Sequence, residues 1–369
     1  MDTVIIKSGI CHALYVYDIG LSIDLERIRR RLARSEVTTE VATSRRAPKY
    51  YGGYQPAPLH LVQPVAGLRA GDRPLAPTVD MALYDFGAVT VTYAIPFDGP
   101  LAEVGRLSCQ VNADDSLERD ARRRVQDLLE RVRQAVSRPR PPGPVEDYLM
   151  FEVREAEFDG RLDQIPAALG HEIARILRAE TGALSAQEAA DAASVQLSYG
   201  PDDLTLIDWN AALIFDRDAS DVLDVLEFAN IELLELRVLD AQLDDSLDRS
   251  YAMLSEFSWS RLLGISRASS LRRVGAMQVD GAILFERVSN ALKLLGDQYL
   301  ARVYRLASQR FHLAEWNAAA LRKLDTIESL YEKLNDRNAS RRLEILEWII
   351  ILLIAFEIVW PFAAKRWGL

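Results

Sequence analysis

Residues 80–97 read DMALYDFGAVTVTYAIPF and carry the strongest strand pattern in the chain. Apolar and β-branched residues fill both halves of this stretch, and the turn-forming residues Asp85 and Gly87 separate them. Because strands in globular proteins usually run about 5–6 residues, the stretch is long enough for two. We therefore predict a β-hairpin that turns at residues 85–87.

Further predicted strands and helices lie on both sides of this hairpin in the sequence. Two stretches share a strand–helix–strand order, and a proline-rich linker at 137–145 separates them. The pattern predicts an α+β head over 1–217, a ferredoxin-like mixed sheet with helices on one face. The predicted strands lie at 12–20 and 146–157, with a strand or hairpin at 203–216 and an edge strand near 58–65. The predicted helices follow Asp24 and cover 99–110, 116–136 and 163–180.

Beyond Asp216 the strand pattern stops and helical spacing takes over. Apolar residues at helical spacing predict one long helix over 219–258 and a second over 279–346, with a turn at 261–277. Between Leu313 and Leu334 the apolar residues alternate spacings of three and four, which is typical of a coiled coil. We therefore predict a long antiparallel helical hairpin over 218–346.

The C-terminal stretch Trp348–Ala364 reads WIIILLIAFEIVWPFAA and contains one charged residue, Glu357. Its apolar length is close to the lower limit for crossing a bilayer, and Trp348 and Trp360 occupy interfacial positions. We expect a transmembrane helix over 347–364 that anchors the chain by its C-terminal end. A buried core helix and an interfacial helix are the alternatives. Glu357 lies near the middle of the span, where it either mediates self-association or is a tolerated polar residue.

Composition excludes several classes of protein and offers no catalytic motif. The net charge of −10 disfavours a chain that coats nucleic acid, so DNA is not an expected partner. Two cysteines cannot form a disulfide scaffold, and none of the four histidines stands in a metal-binding spacing. No phosphate-binding glycine loop is present. We predict no catalytic, cofactor-binding or metal-binding residues, and the chain is not expected to be an enzyme.

Two charged features remain. The first long helix is acidic, with a solvated face expected and a divalent-cation site as the less favoured interpretation; its acidic residues are Glu232, Glu235, Asp240, Asp244, Asp245 and Asp248. The predicted turn between the long helices carries Arg267, Arg272 and Arg273. These arginines are candidate contacts for a phosphate group of lipid or RNA, or for another partner. Arg122–Arg124, and Arg45, Arg46 and Lys49, form further basic groups.

Three stretches together resemble the family named "required for meiotic nuclear division": YDFGAVTVTY (84–93), ANIELLELRVLDAQLDDSL (229–247) and LEWIIILLIAFEIVW (346–360). Glu235 and Arg237 are similar to the helix motif of that family, and Glu347, Trp348, Glu357 and Ile358 match its terminal span. The resemblance implies a divergent bacterial member that is membrane-anchored and self-associating. Its eukaryotic relatives imply a link to translation at the mitochondrial inner membrane, and the family implies no catalytic residues.

These observations lead to one main hypothesis about function. The chain is expected to be a non-catalytic, tail-anchored scaffold that self-associates and binds membrane lipid. We expect it at the bacterial inner membrane, with a single pass at the C-terminus and most of the chain in the cytoplasm. The alternative is a membrane tether that supports translation through contacts with the ribosome or RNA.

Overall fold

A computed structural model describes residues 4–32, 40–42, 56–255 and 298–330, together with residues 347, 350, 351 and 353. The strands are β1 Ile5–Asp18, β2 Ser22–Ile23, β3 Glu40–Ala42, β4 Leu59–Pro64, β5 Arg69–Ala70, β6 Arg73–Pro74, β7 Thr78–Leu83, β8 Ala88–Pro100, β9 Val136–Ser137, β10 Val145–Glu157, β11 Gln196–Leu197, β12 Leu204–Ile207 and β13 Ala211–Phe215. The helices are α1 Leu25–Leu32, α2 Leu101–Ala113, α3 Ser116–Val132, α4 Ile165–Arg178, α5 Ala186–Ala192, α6 Ser220–Ser255, α7 Gln298–Arg310 and α8 over 313–330.

One nine-stranded sheet organises the head in the order β11-β12-β13-β10-β1-β8-β7-β4-β3. Its neighbouring strands pair antiparallel except for β10 and β13, which are parallel, so the sheet is mixed. The prediction of an α+β protein with a mixed sheet is confirmed in that coarse form. β4 pairs with both β3 and β7, so it lies inside the sheet and the prediction of an edge strand there is wrong.

The predicted hairpin is confirmed as β7 and β8, which pair from Val79↔Tyr93 to Leu83↔Val89. Gly87 in the turn has φ +114°, a conformation that side chains with a Cβ rarely adopt. A Cβ at this position would also lie 1.8 Å from the carbonyl oxygen of Gly20. The turn therefore requires glycine for its own conformation and because the segment after β1 passes against it.

Helices cover both faces of the sheet, whereas the sequence indicated helices on one face. One face, the first face, packs against α1 to α4, which contribute buried core residues such as Ile28, Val104, Val125 and Ile173. The second face packs against α6 and α7 through a separate set of buried apolar residues. Alternate residues of β1 are buried on each side of the sheet, so both sides need a cover.

The second predicted long helix is interrupted in the described part of the chain. α7 ends at Arg310, and His312 takes a left-handed conformation with φ +55° before α8 begins. Phe311, next to it, is buried and packs edge-on against Tyr148 with ring centroids 5.4 Å apart. The burial of this aromatic ring coincides with the break, which the uninterrupted heptad pattern does not indicate.

By internal contacts the chain divides into two compact units. Of the described residues, the first unit holds those up to Leu239 and those from 298 to 317. The second unit holds 240–255, 318–330 and the few described residues near the C-terminus. Within the second unit, Lys323 lies 2.6 Å from Asp240 and 2.7 Å from Asp244. These two ion pairs join the second half of α6 to α8.

No helix formed by the described residues has the length and apolar character needed to cross a membrane. That finding contradicts the predicted C-terminal transmembrane helix, the tail anchor and the single-pass location at the bacterial inner membrane. Most of the stretch 348–364, on which the prediction was based, lies outside the described residues.

Candidate functional site

The second face of the sheet carries a row of carboxyl groups on α6, each at least partly buried. They are Asp224, Glu227, Glu232 and Glu235. The first half of α6 has apolar residues on every side, so almost any side chain there is covered by a neighbour. The expectation of a solvated acidic face is therefore wrong for Glu232 and Glu235, although Asp244, Asp245 and Asp248 are exposed as expected.

Two of these carboxyls, Asp224 and Glu227, meet His60 and Asp80 to form what we call the His60 cluster. β4 supplies His60 and β7 supplies Asp80, and their register places both on the second face. His60 Nδ1 lies 2.9 Å from Asp80 Oδ2. A carboxylate in this position selects one tautomer of the imidazole and orients the ring.

At the inner end of the His60 cluster, Glu227 accepts two hydrogen bonds. The hydroxyl of Tyr84 donates to Glu227 Oε1 over 2.9 Å, and the hydroxyl of Thr90 donates to the same oxygen over 2.7 Å. Both donors belong to the hairpin region identified from the sequence, since Tyr84 follows β7 and Thr90 lies in β8. The hairpin thus positions the carboxyl of Glu227.

The electrostatics of the His60 cluster favour bound protons. Burial, reinforced by the charge of Glu227, raises the pKa of Asp224 to about 8. Burial also raises the pKa of Glu227, against the opposing hydrogen bonds from Thr90 and Tyr84. Burial opposes a charged imidazole, but the hydrogen bond and charge of Asp80, with Glu227 and Asp224, outweigh it and raise the pKa of His60. The cluster can therefore hold protons at neutral pH that isolated carboxyls would lose.

A second pair of carboxyls, which we call the Glu235 pair, lies at the end of β1. Asp18 Oδ1 accepts a hydrogen bond from the backbone N–H of Gly20 over 2.9 Å. Asp18 Oδ2 forms an ion pair with Arg140 Nη2 at 3.1 Å. Glu235 is 3% exposed, and its Oε1 has no hydrogen-bond partner. Burial, with the charge of Asp18 adding to it, raises the pKa of Glu235 well above its usual range.

A third group of charges, the Asp208 network, is fully paired. Asp208 is completely buried and receives Arg178 Nε at 3.0 Å and Arg310 Nε at 2.6 Å. The same two arginines also reach Asp191 at 2.6 and 2.8 Å, and Arg178 pairs with Glu188. Because Arg178 ends α4 on the first face and Arg310 ends α7 on the second, the network joins the two helical layers at one end of the sheet.

Metal binding has no geometric basis in the part of the chain that the structure describes. No group of three or more His, Cys, Asp or Glu side chains there is arranged to hold a metal ion. The two cysteines are unpaired, with Cys11 buried in the sheet. Burial raises the pKa of the Cys11 thiol, which disfavours the reactive thiolate.

The predicted site residues fall outside this region. Trp348, Glu357, Trp360, Arg267, Arg272 and Arg273 all lie outside the described residues, as do Arg45, Arg46 and Lys49. The remaining basic group, Arg122–Arg124, is engaged within the head. Arg122 donates to Glu118 and to the carbonyl oxygen of Gly143, and Arg124 donates to Asp120.

Sequence reasoning missed the His60 cluster and the Glu235 pair. Their members lie far apart along the chain, and no local motif connects them. One signal was present: a helix with apolar residues all round must bury its acidic residues too. That signal marks Asp224, Glu227, Glu232 and Glu235 as buried but does not reveal their partners on the sheet.

The fold and these clusters define an α+β protein with a mixed nine-stranded sheet between two helical layers. The chain belongs to the family whose model is described as "Uncharacterized protein MJ0711, N-terminal domain", which matches residues 8–221, more than half of the chain. The resemblance to the "required for meiotic nuclear division" family, as a divergent bacterial member, is therefore wrong.

A curated relative supports the same family. "Uncharacterized protein MJ0711" of the archaeon Methanocaldococcus jannaschii is 27% identical over 167 residues, which cover 44% of this chain and 50% of the relative. The chain thus matches about half the length of that relative. No solved structure matches the chain.

Proposed function

We propose that the protein is a non-catalytic scaffold that self-associates through its second unit, with the α+β head as a rigid platform. The carrying observation is the distribution of exposed large apolar side chains among the described residues. Two lie in the first unit, Tyr199 and Trp209, and five lie in the much smaller described part of the second, Tyr251, Leu321, Ile350, Ile351 and Leu353. Concentrated exposed apolar side chains are typical of protein interaction sites.

The two helical segments of the second unit support this proposal. Leu243, Ala320, Ile327 and Leu330 are buried in this unit, and Lys323 joins the segments through Asp240 and Asp244. Tyr251 and Leu321 are 53% and 46% exposed on the same two segments. A second copy of the chain offers the same apolar residues, so a symmetric contact would cover both sets. In this proposal the two segments are the arms of the predicted helical hairpin. The head is proposed to be ferredoxin-like.

The test is the mass of the full chain in solution, measured by light scattering after size exclusion. The wild-type protein is expected to form a multiple of the 41.4 kDa chain. Leu321→Glu and Tyr251→Glu each place a charge at the proposed contact, and each should weaken association by at least about tenfold, a loss of roughly 1.4 kcal/mol. Because both side chains are exposed, folding of the single chain should persist, which circular dichroism checks.

The matched controls are Tyr199→Glu and Trp209→Glu, which charge aromatic residues of the first unit that are at least as exposed. They should leave the mass unchanged. A wild-type chain that remains a single copy at every concentration contradicts the proposal. Equal loss of association in the controls and in the second-unit variants contradicts the assignment of the contact to the second unit.

The translation alternative has less support. Its candidate contacts, Arg267, Arg272 and Arg273, lie outside the described residues. Of the described basic groups, Arg122 and Arg124 are engaged by neighbouring acidic groups and carbonyls. We therefore keep self-association as the proposed function.

A further inference from the structure

The end of β1 and one turn of α6 meet at two carboxyl groups with unequal numbers of partners. Asp18 is satisfied on both oxygens, by the backbone of Gly20 and by Arg140. Glu235 has no donor at Oε1 and is nearly inaccessible to water. A buried carboxylate without a donor is costly, whereas a protonated carboxyl in the same place carries no charge. The geometry therefore favours a proton on Glu235.

The surroundings of Glu235 keep out the water that would hydrate its carboxylate if the proton were lost. Its neighbours on α6 are apolar and buried, including Ile231, Leu234, Leu236 and Leu239. Ile231, Leu234 and Leu236 belong to the layer that packs α6 on the second face of the sheet. A charge on Glu235 can reach water only if this turn of α6 moves away from the sheet.

We propose that Glu235 and Asp18 form a proton-dependent latch, in which a proton held on Glu235 keeps this turn of α6 against the end of β1. Loss of the proton places two like charges beside each other in a dry interface. Arg140 compensates one of them and is already paired with Asp18. The second charge is relieved by separation of α6 from the sheet, so the latch opens as the pH rises.

The other charged groups at this end of the second face do not remove the need for the proton. From β10, Glu146 faces α6, and its carboxylate pairs with Arg237 of α6 itself. The segment after β9 contributes Arg140, which is paired with Asp18. Burial and Asp18 raise the pKa of Glu235 and Arg140 opposes them, with a net rise.

The experiment follows the carboxyl carbon of Glu235 by ¹³C NMR in the full chain across a pH series. Amide hydrogen exchange of α6 is measured on the same samples and corrected for the intrinsic effect of pH. Glu235 is expected to keep the chemical shift of a protonated acid through neutral pH. When it titrates, amides of residues 231–239 should lose protection by tenfold or more.

Two variants and one control variant make the result specific. Glu235→Gln removes the titrating group and should abolish the pH-dependent loss of protection, whereas Glu130→Gln, at an exposed glutamate of α3, should leave it unchanged. Asp18→Asn keeps an acceptor for Gly20 but removes the neighbouring negative charge, so it should move the Glu235 titration to lower pH. This variant decides the question if Glu235→Gln fails to fold.

Three results overturn the latch. The first is titration of Glu235 in the range of an exposed glutamate. The second is an unchanged titration in Asp18→Asn. The third is a loss of α6 protection in Glu235→Gln that equals the loss in the wild-type chain. None of these outcomes depends on whether the chain self-associates, so the latch and the proposed function succeed or fail separately.

Discussion

Asp208 and Glu235 are both buried carboxyls at the edge of the same core, but the fold treats them in opposite ways. Asp208 receives two arginines, one from each helical layer, within a paired network. Glu235 faces another acid, and the nearby Arg140 is engaged by that acid. At Asp208, an arginine from each helical layer pairs with the carboxyl group. At Glu235, the nearby arginine is already paired with Asp18, so a bound proton removes the charge of the carboxyl group. A buried acid therefore either cross-links two elements through an ion pair or binds a proton, according to the donors that its neighbours supply.

The largest effect should come from breaking the compensated side of this comparison. Arg310→Met leaves Asp208 buried with one arginine, and unpairing a buried charge typically costs about 3–5 kcal/mol. We expect a loss of that size in the free energy of unfolding, measured by chemical denaturation at neutral pH. In the double variant Arg310→Met, Asp208→Asn, most of the loss should be recovered, since the uncompensated charge is gone. A loss below about 1 kcal/mol in the single variant would show that the network contributes little.

A smaller, pH-dependent effect is expected on the proton-binding side, in the His60 cluster. The pKa of Asp224 rises to about 8 on folding from an ordinary value of 3.8. The folded state therefore holds more protons than the unfolded state between these values, and stability falls as the pH rises through that window. Asp224→Asn lacks this loss, so its stability relative to wild type should rise by roughly 3 kcal/mol between pH 5 and pH 7. Parallel stability curves for the two proteins would rule this out.

The mildest effect should come from Glu232, which has a donor that Glu235 lacks. Tyr304 donates to Glu232 Oε2 over 2.6 Å, and burial, partly offset by this bond, raises the pKa of Glu232 to about 7. Glu232→Gln keeps an acceptor for Tyr304 but does not titrate. Its stability relative to wild type should rise by about 2 kcal/mol between pH 5 and pH 7 and then level off. Urea denaturation at several pH values measures this, and a difference still growing above pH 8 would contradict the assigned window.

The hairpin shows how far local pattern reaches. Alternation and a glycine turn predicted β7 and β8 correctly, because both signals are read within one short stretch. Local pattern likewise predicted the helix after Asp24, the first strand β1, and the strand region that contains β12 and β13. The uninterrupted helix over 279–346 failed at Phe311 and His312, since burial of the phenylalanine against Tyr148 is a long-range contact.

The candidate site shows where local pattern stops. Sequence patterns did not single out His60, because nothing near it in sequence suggests Asp80, Asp224 and Glu227 as neighbours. The acidic residues of α6 were interpreted as one solvated face, although the helix is largely buried in its first half and more exposed in its second. Both errors have one cause: composition along a helix does not say which part of it the sheet covers.

Local patterns in the amino-acid sequence are enough to predict the α+β class, the hairpin around Gly87 and the long helix that follows the last strand. These follow from alternation, turn chemistry and helical spacing, all of which act over a few residues. Local patterns do not predict that α6 covers the second face of the sheet, and this packing determines which carboxyl groups are buried. Because a pKa depends on burial and on charges from distant strands, the partners of Asp224, Asp208 and Glu235 exist only once the sheet has assembled.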